Sequence, residues 1–142
     1  MANLAKERAT TKNALATLRE QLVGNALAAT KYYAGLIGII DDNQRVVNPG
    51  AGNAALAGAR AGVIKLTVDN TLGGNDAVKV ELETGVFNFD KHGVNPPLVV
   101  GSIAYASDNH TISRDPADGP AVGRVWAIHA ASVDVSFGPL AA

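Results

Sequence analysis

Hydrophobic and polar residues alternate most regularly between positions 77 and 89. Val78, Val80 and Leu82 are interleaved with Lys79, Glu81 and Glu83, and after Gly85 the pattern resumes with Phe87 and Phe89 around Asn88. Successive side chains of a strand point to opposite faces. The pattern therefore predicts one long, half-buried strand over 77–89, with the apolar residues facing a core and the charges facing water. Gly73-Gly74 and Asn75-Asp76 supply the turn before it. The same period returns near the end of the chain, where Val133, Val135 and Phe137 alternate with Asp134 and Ser136.

The apolar run 32–40 reads as a buried strand, Asp41-Asp42-Asn43 as a polar turn, and 45–47 as a short returning strand. Asn48-Pro49-Gly50 breaks the pattern, 51–60 is a small-residue loop or short helical turn, and 61–68 is the next strand. Pro96 and Pro97 do not suit a central ladder, so 90–97 is a loop. Two hairpins are predicted beyond it, 102–106 with 110–113 and 122–129 with 132–137. Short strands at this density predict an all-β fold, a small β-barrel or sandwich.

The N-terminal region has a different texture. Leu15, Leu18 and Leu22 recur at helical spacing among alanines, which predicts a helix within 4–23 ended by Gly24-Asn25. The stripe is narrow, and a helix this marginal needs a surface to hold it. The expected organisation is a partly helical arm, 1–28, on a β-barrel-like domain, 29–142. Two surfaces satisfy the leucines: an adjacent molecule, or one end of the chain's own core.

Charge sharpens this picture. The net charge of −1 argues against a dedicated nucleic-acid binder. Residues 1–31 nevertheless carry Lys6, Arg8, Lys12, Arg19 and Lys31 against Glu7 and Glu20, a basic arm on a mildly acidic body. Such an arm fits an acidic neighbour, another copy of the chain included. Lys6, Arg8, Lys12, Leu15, Leu18 and Leu22 are therefore candidate interface residues. The 142 residues suffice for one core, and with no cysteine that core must hold by packing alone. No apolar run approaches the ~20 residues of a membrane-spanning helix. The charges scattered through the first twenty residues do not make a signal peptide.

Candidate chemistry is sparse. His92, His110 and His129 lack metal-chelating spacing, and Ser102 does not sit in a Gly-x-Ser-x-Gly elbow. Glu81 and Glu83 share one strand face with Lys79, which reads as a solvated face rather than an acid–base pair. Asp41-Asp42-Asn43 lacks the glycine and distal glutamate of a calcium loop, and Gly73-Gly74 leads into no phosphate loop. The expectation is a non-catalytic protein without cofactor or metal. Trp126 is the only tryptophan. Alternation puts it on one face with Val122, Arg124 and Ile128, either plugging the core or anchoring an interface.

Five pieces in order carry a resemblance. They are Tyr33 through Ile40 (YAGLIGII) running on to Pro49; Val68-Asp69-Asn70 leading through a small-residue turn to Gly85-Val86-Phe87; Gly101 through Tyr105 (GSIAY) with Asp108-Asn109 and His110-Thr111-Ile112; Val122-Gly123-Arg124-Val125; and Val133-Asp134-Val135. Over about residues 31–138 this order resembles the capsid cement or head decoration proteins of tailed bacteriophages. The resemblance implies a β-barrel-like core, a place on the outside of the virion capsid, the major capsid protein as partner, and assembly with copies of itself. A trimer is the first expectation, and dimer and monomer are the alternatives. Typical members begin within a few residues of the first strand, whereas here about 30 residues precede Tyr32. Two rival readings stand beside it: another virion component of the tail or head-completion kind, and a small β-barrel enzyme or ligand-binding module.

Overall fold

The computed structural model describes residues 3–8, 21–56, 60–92 and 97–137. In chain order its strands are β1 (Gln21–Asn25), β2 (Thr30–Tyr32), β3 (Ile37–Ile40), β4 (Val46–Val47), β5 (Arg60–Ile64) and β6 (Val68–Asn70). After them come β7 (Lys79–Glu83), β8 (Gly85–Lys91), β9 (Ile103–Ala106), β10 (Thr111–Ser113), β11 (Ala121–Ile128) and β12 (Ser132–Phe137). A single 3-10 turn, Ala51–Asn53, is the only helical element among the described residues. The all-β expectation is therefore met, with a barrel at its centre. Strands β10-β8-β12-β11-β9 close on themselves, β1-β7-β5-β3-β4 form a second sheet, and β2 pairs with β6 as a ribbon.

The hairpins β9–β10 and β11–β12 are antiparallel, as the turn signals predict. β10 runs parallel to β8 and completes the barrel wall. Val133, Val135 and Phe137 point inward, while Ser132, Asp134 and Ser136 are only partly buried. Phe87 and Phe89 meet Phe137 edge-to-face, at centroid distances of 6.2 and 5.6 Å. Together with Ala104, Ala106, Ile112, Val122 and Val125 these side chains fill the barrel interior.

Three predicted strands prove to be bent. The run 77–89 divides at Gly85, whose φ of 129° few other residues adopt, so β7 serves the open sheet and β8 the barrel. Val78, expected inward, lies ahead of β7 and is 37% exposed, because the turn through Asp76 ends beside it. Segments 32–40 and 61–68 each break once as well. Their halves keep the same antiparallel register on both sides of the break: Tyr32 opposes Val68, and Ile37 opposes Val63. The two segments thus form one bent hairpin that serves two sheets.

The bend leaves β3 and β5 buried on both faces. Ile37, Ile39, Ala61 and Val63 pack on the barrel core. Ile40 and Ile64 face a second core with Ala26, Tyr32, Leu36, Val46, Val80 and Leu82. On that second face Gly38 and Gly62 are directly opposed, which opens a hollow. Leu82 and Val46 fill it: a Cβ on Gly62 would lie 2.9 Å from Leu82 Cβ and 2.8 Å from the Glu83 carbonyl oxygen, and one on Gly38 would lie 2.9 Å from Val46 Cγ1 and 3.1 Å from Leu82 Cδ2. Burying a leucine completely contributes about 1.5–3 kcal/mol. Tyr32 secures the rim of this core. Its hydroxyl donates to the Val46 carbonyl and accepts from the Leu27 N–H, both at 2.8 Å, and burial pushes the phenol above its ordinary pKa.

Gly62→Ala is expected to cost about 3 kcal/mol, since the new methyl meets backbone that cannot move aside cheaply. Gly52→Ala, with open space around it, should change stability by less than about 0.5 kcal/mol. Urea unfolding of the two variants beside the parent checks the contrast.

Candidate interface surface

The titratable groups are distributed rather than gathered. His92 Nε2 lies 4.0 Å from Asp118 Oδ2, and the Ser113 hydroxyl donates to that same carboxylate oxygen at 2.6 Å. The serine proton thus points at the aspartate, not at the imidazole, which is the wrong order for an activated nucleophile. His110 sits between Asp90 (Nδ1 to Oδ2, 3.0 Å) and Asp108 (Nε2 to Oδ1, 3.4 Å). His129 lies 3.1 Å from Asp134. Among the described residues no three His, Asp or Glu side chains converge as metal ligands. Asp41 acts within its turn, accepting from the Asn43 and Arg45 N–H groups. Glu81 and Glu83 stand on the outer side of β7 beside β1.

The arm residues fall in three places. Lys12, Leu15 and Leu18 lie outside the described residues. Lys6 is exposed. Arg8, expected to reach toward a neighbour, is docked on its own chain: its guanidinium donates to the Asn88 carbonyl at 2.6 Å, lies 3.5 Å from Asp90, and stacks 4.9 Å from the centre of the Phe89 ring. Arg8 N–H donates to the Ala34 carbonyl, Thr67 donates to Glu7, the Leu4 N–H donates to Asn109 Oδ1, and the Asn109 amide donates to the Leu4 carbonyl. Residues 3–8 therefore strap the barrel to the bent hairpin. Leu22, expected on a helical stripe, lies in β1 opposite Leu82 and packs against the second core. Pairing with β7 satisfies its backbone, which a lone marginal helix could do only at the entropic cost of nucleation.

Trp126 is where sequence and structure meet. It is 50% exposed, on the outside of β11. The pairing register shifts there: Val125 opposes Val135 and Ala127 opposes Asp134, so Trp126 is the extra residue of a β-bulge. A bulge re-aims a side chain. A second shift, between Ala121 and Gly123, turns Val122 inward and removes it from the face that simple alternation assigns it. Arg124 remains outward, whereas Ile128, 39% exposed at the end of the strand, opposes the inward Val133 because the bulge shifts the phase.

The turn 99–102 completes this face. Its Gly101 N–H donates to the Val125 carbonyl and Val125 returns the bond to Ser102, both at 2.9 Å. Val99 and Val100 are thereby carried beside the bulge, and both are largely exposed. Sequence reasoning passes over them. The available signal is an apolar pair in a loop behind Pro96-Pro97, where no strand partner exists to bury both side chains.

Comparisons of this chain with protein-family models, curated proteins and solved structures give no match. The surface must be read from its own chemistry.

One exposed ion pair ties the second sheet to the turn before β7. Arg45 donates from Nε and Nη2 to the two carboxylate oxygens of Asp76, at 3.1 and 3.0 Å. These bonds hold the Asp76 carboxyl below the usual aspartate range. A depressed carboxylate pKa adds stability above the unfolded-state value, and that stability is lost as pH falls through the folded-state value. Asp76→Asn should therefore be less stable than the parent at neutral pH, and the two should converge below the ordinary aspartate pKa. Thermal melts across an acid pH series check the sign.

Proposed function

We propose that this chain is a structural virion protein, a cement or decoration protein that binds the outside of a phage capsid lattice and stabilises it without catalysis. The observation that carries the reading is Trp126, half-exposed at a bulge on the wall of a closed barrel, with the exposed Val99 and Val100 on the turn bonded to that bulge. Tryptophan is enriched among the anchors of protein interfaces. The five-piece resemblance supports the same reading. An interior packed by Phe87, Phe89, Phe137 and their aliphatic neighbours weighs against a barrel that holds a ligand inside.

In this reading the partners are the major capsid protein and neighbouring copies of the chain, with a trimer as first expectation. A protein that binds only the assembled lattice stabilises it by mass action, since dissociation of the lattice must also release the bound copies. The chain then acts by surface alone, and a rigid barrel suits that task because little conformational freedom is lost on docking.

Purified protein mixed with capsids that lack it should co-sediment to a saturating, lattice-like stoichiometry and raise the temperature at which the capsids disrupt. Failure to co-sediment would overturn the decoration reading. Saturation at only a few copies per particle would favour a tail or head-completion role instead.

A further inference from the structure

We propose that the outer face of β11 and the turn 99–102 form the docking face, and that its partner is a protein surface whose apolar centre is bordered by Asp and Glu carboxylates. Identifying that protein as the capsid rests on the decoration reading.

The charge distribution makes the case. Residues 84–137 contain three basic side chains, Lys91, Arg114 and Arg124, against five aspartates. An acidic barrel would scatter three cations if nothing gathered them. Here each is bonded to a backbone carbonyl of a segment that carries or adjoins the exposed apolar residues. Arg124 donates to Gly101, next to Val100, at 3.1 Å. Arg114 donates to Pro97 at 3.2 Å, and Lys91 to His129, next to Ile128, at 2.6 Å. Among the described residues neither Lys91 nor Arg114 meets a carboxylate.

The aspartates are each hydrogen-bonded within the barrel. Asp90 and Asp108 face His110, Asp118 accepts from Ser113, and Asp115 accepts from the Ala117 N–H. Asp134, the acid nearest this face, is held between Asn88 and His129. Lys91, Arg114 and Arg124 thus border the apolar centre, and the first two meet no carboxylate among the described residues. An interface of this make-up is completed by a partner of opposite pattern, because rim charges steer encounter and set register while the buried aromatic supplies affinity. Three basic side chains attract an anionic membrane only weakly, and the acidic excess of the barrel opposes nucleic acid. A protein partner is the one favoured.

The test measures capsid binding by sedimentation at low and high salt. It compares the parent, Trp126→Ala, the double variant Lys91→Glu with Arg114→Glu, and Lys65→Glu on the other sheet. Trp126→Ala should bind about 30-fold more weakly at both salts, as removal of an interface anchor does. The double variant should bind about 10-fold more weakly at low salt and lose most of the parent's salt dependence. Lys65→Glu should match the parent, and phosphatidylglycerol vesicles should capture none of them. If both face variants bind capsids like the parent, the docking face is wrong while the decoration reading stands. If the parent binds the vesicles and Trp126→Ala does not, the partner is lipid and the proposal is overturned. If the parent fails to bind capsids at all, the decoration reading falls and takes this partner with it.

Discussion

Leu82 and Val46 occupy the hollow left by Gly38 and Gly62, and that close packing gives the molecule two cores with a shared wall. Strands β3 and β5 are buried on both sides, a situation usual for parallel sheets covered by helices and here reached by bending an antiparallel hairpin. Isoleucine and valine face the barrel, where volume must be filled. Glycines face the second core, where a neighbouring strand must come close. Any side chain at Gly62 pushes against the backbone of β7, so strain there would be felt in both cores at once. The N-terminal strap adds a second tie, with Arg8 reaching from the Ala34 carbonyl on the hairpin to Asn88 and Asp90 on the barrel.

The proposed interface depends on this rigidity. A closed barrel has no free strand edge, so the proposed interface is made of side chains on its outer wall. Two bulges in β11 set those side chains. One sends Val122 inward to the core, and at the other Trp126 is the extra residue, half-exposed to solvent. The bulged strand is pinned by β12 on one side and by the 99–102 turn on the other, so the tryptophan is presented by ordered backbone rather than by a loose loop.

How much of this the residues announce differs from place to place. Alternation alone identifies Val80, Leu82, Phe87, Phe89, Val133, Val135 and Phe137 as inward, because period two is a local property. The hairpins around Asn109 and before Ser132 are legible from turn chemistry. The division of 77–89 between two sheets is marked only by Gly85 and by a change of phase, since the inward positions are even through Leu82 and odd from Phe87. The inward turn of Val122 is silent, because a bulge shifts register without altering composition. The helix expected within 4–23 does not reach Leu22, where pairing with Leu82 in β7 outweighs weak local propensity; its Leu15 and Leu18 lie outside the described residues. Of the candidate interface, Trp126 is legible by its rarity and its place in a strand, whereas Val99, Val100 and the bordering basic residues are assembled by loops distant in sequence.

The central claim is that the shared wall makes the two cores one cooperative body. Native-state hydrogen exchange measures it directly. Amides of β3, β5 and β7 and those of β8 and β12 should exchange most slowly with a single free energy equal to that of global unfolding. If the β7 amides instead exchange through an opening well below the global value while the β8 and β12 amides stay protected, the two cores unfold separately and the account of the wall is wrong.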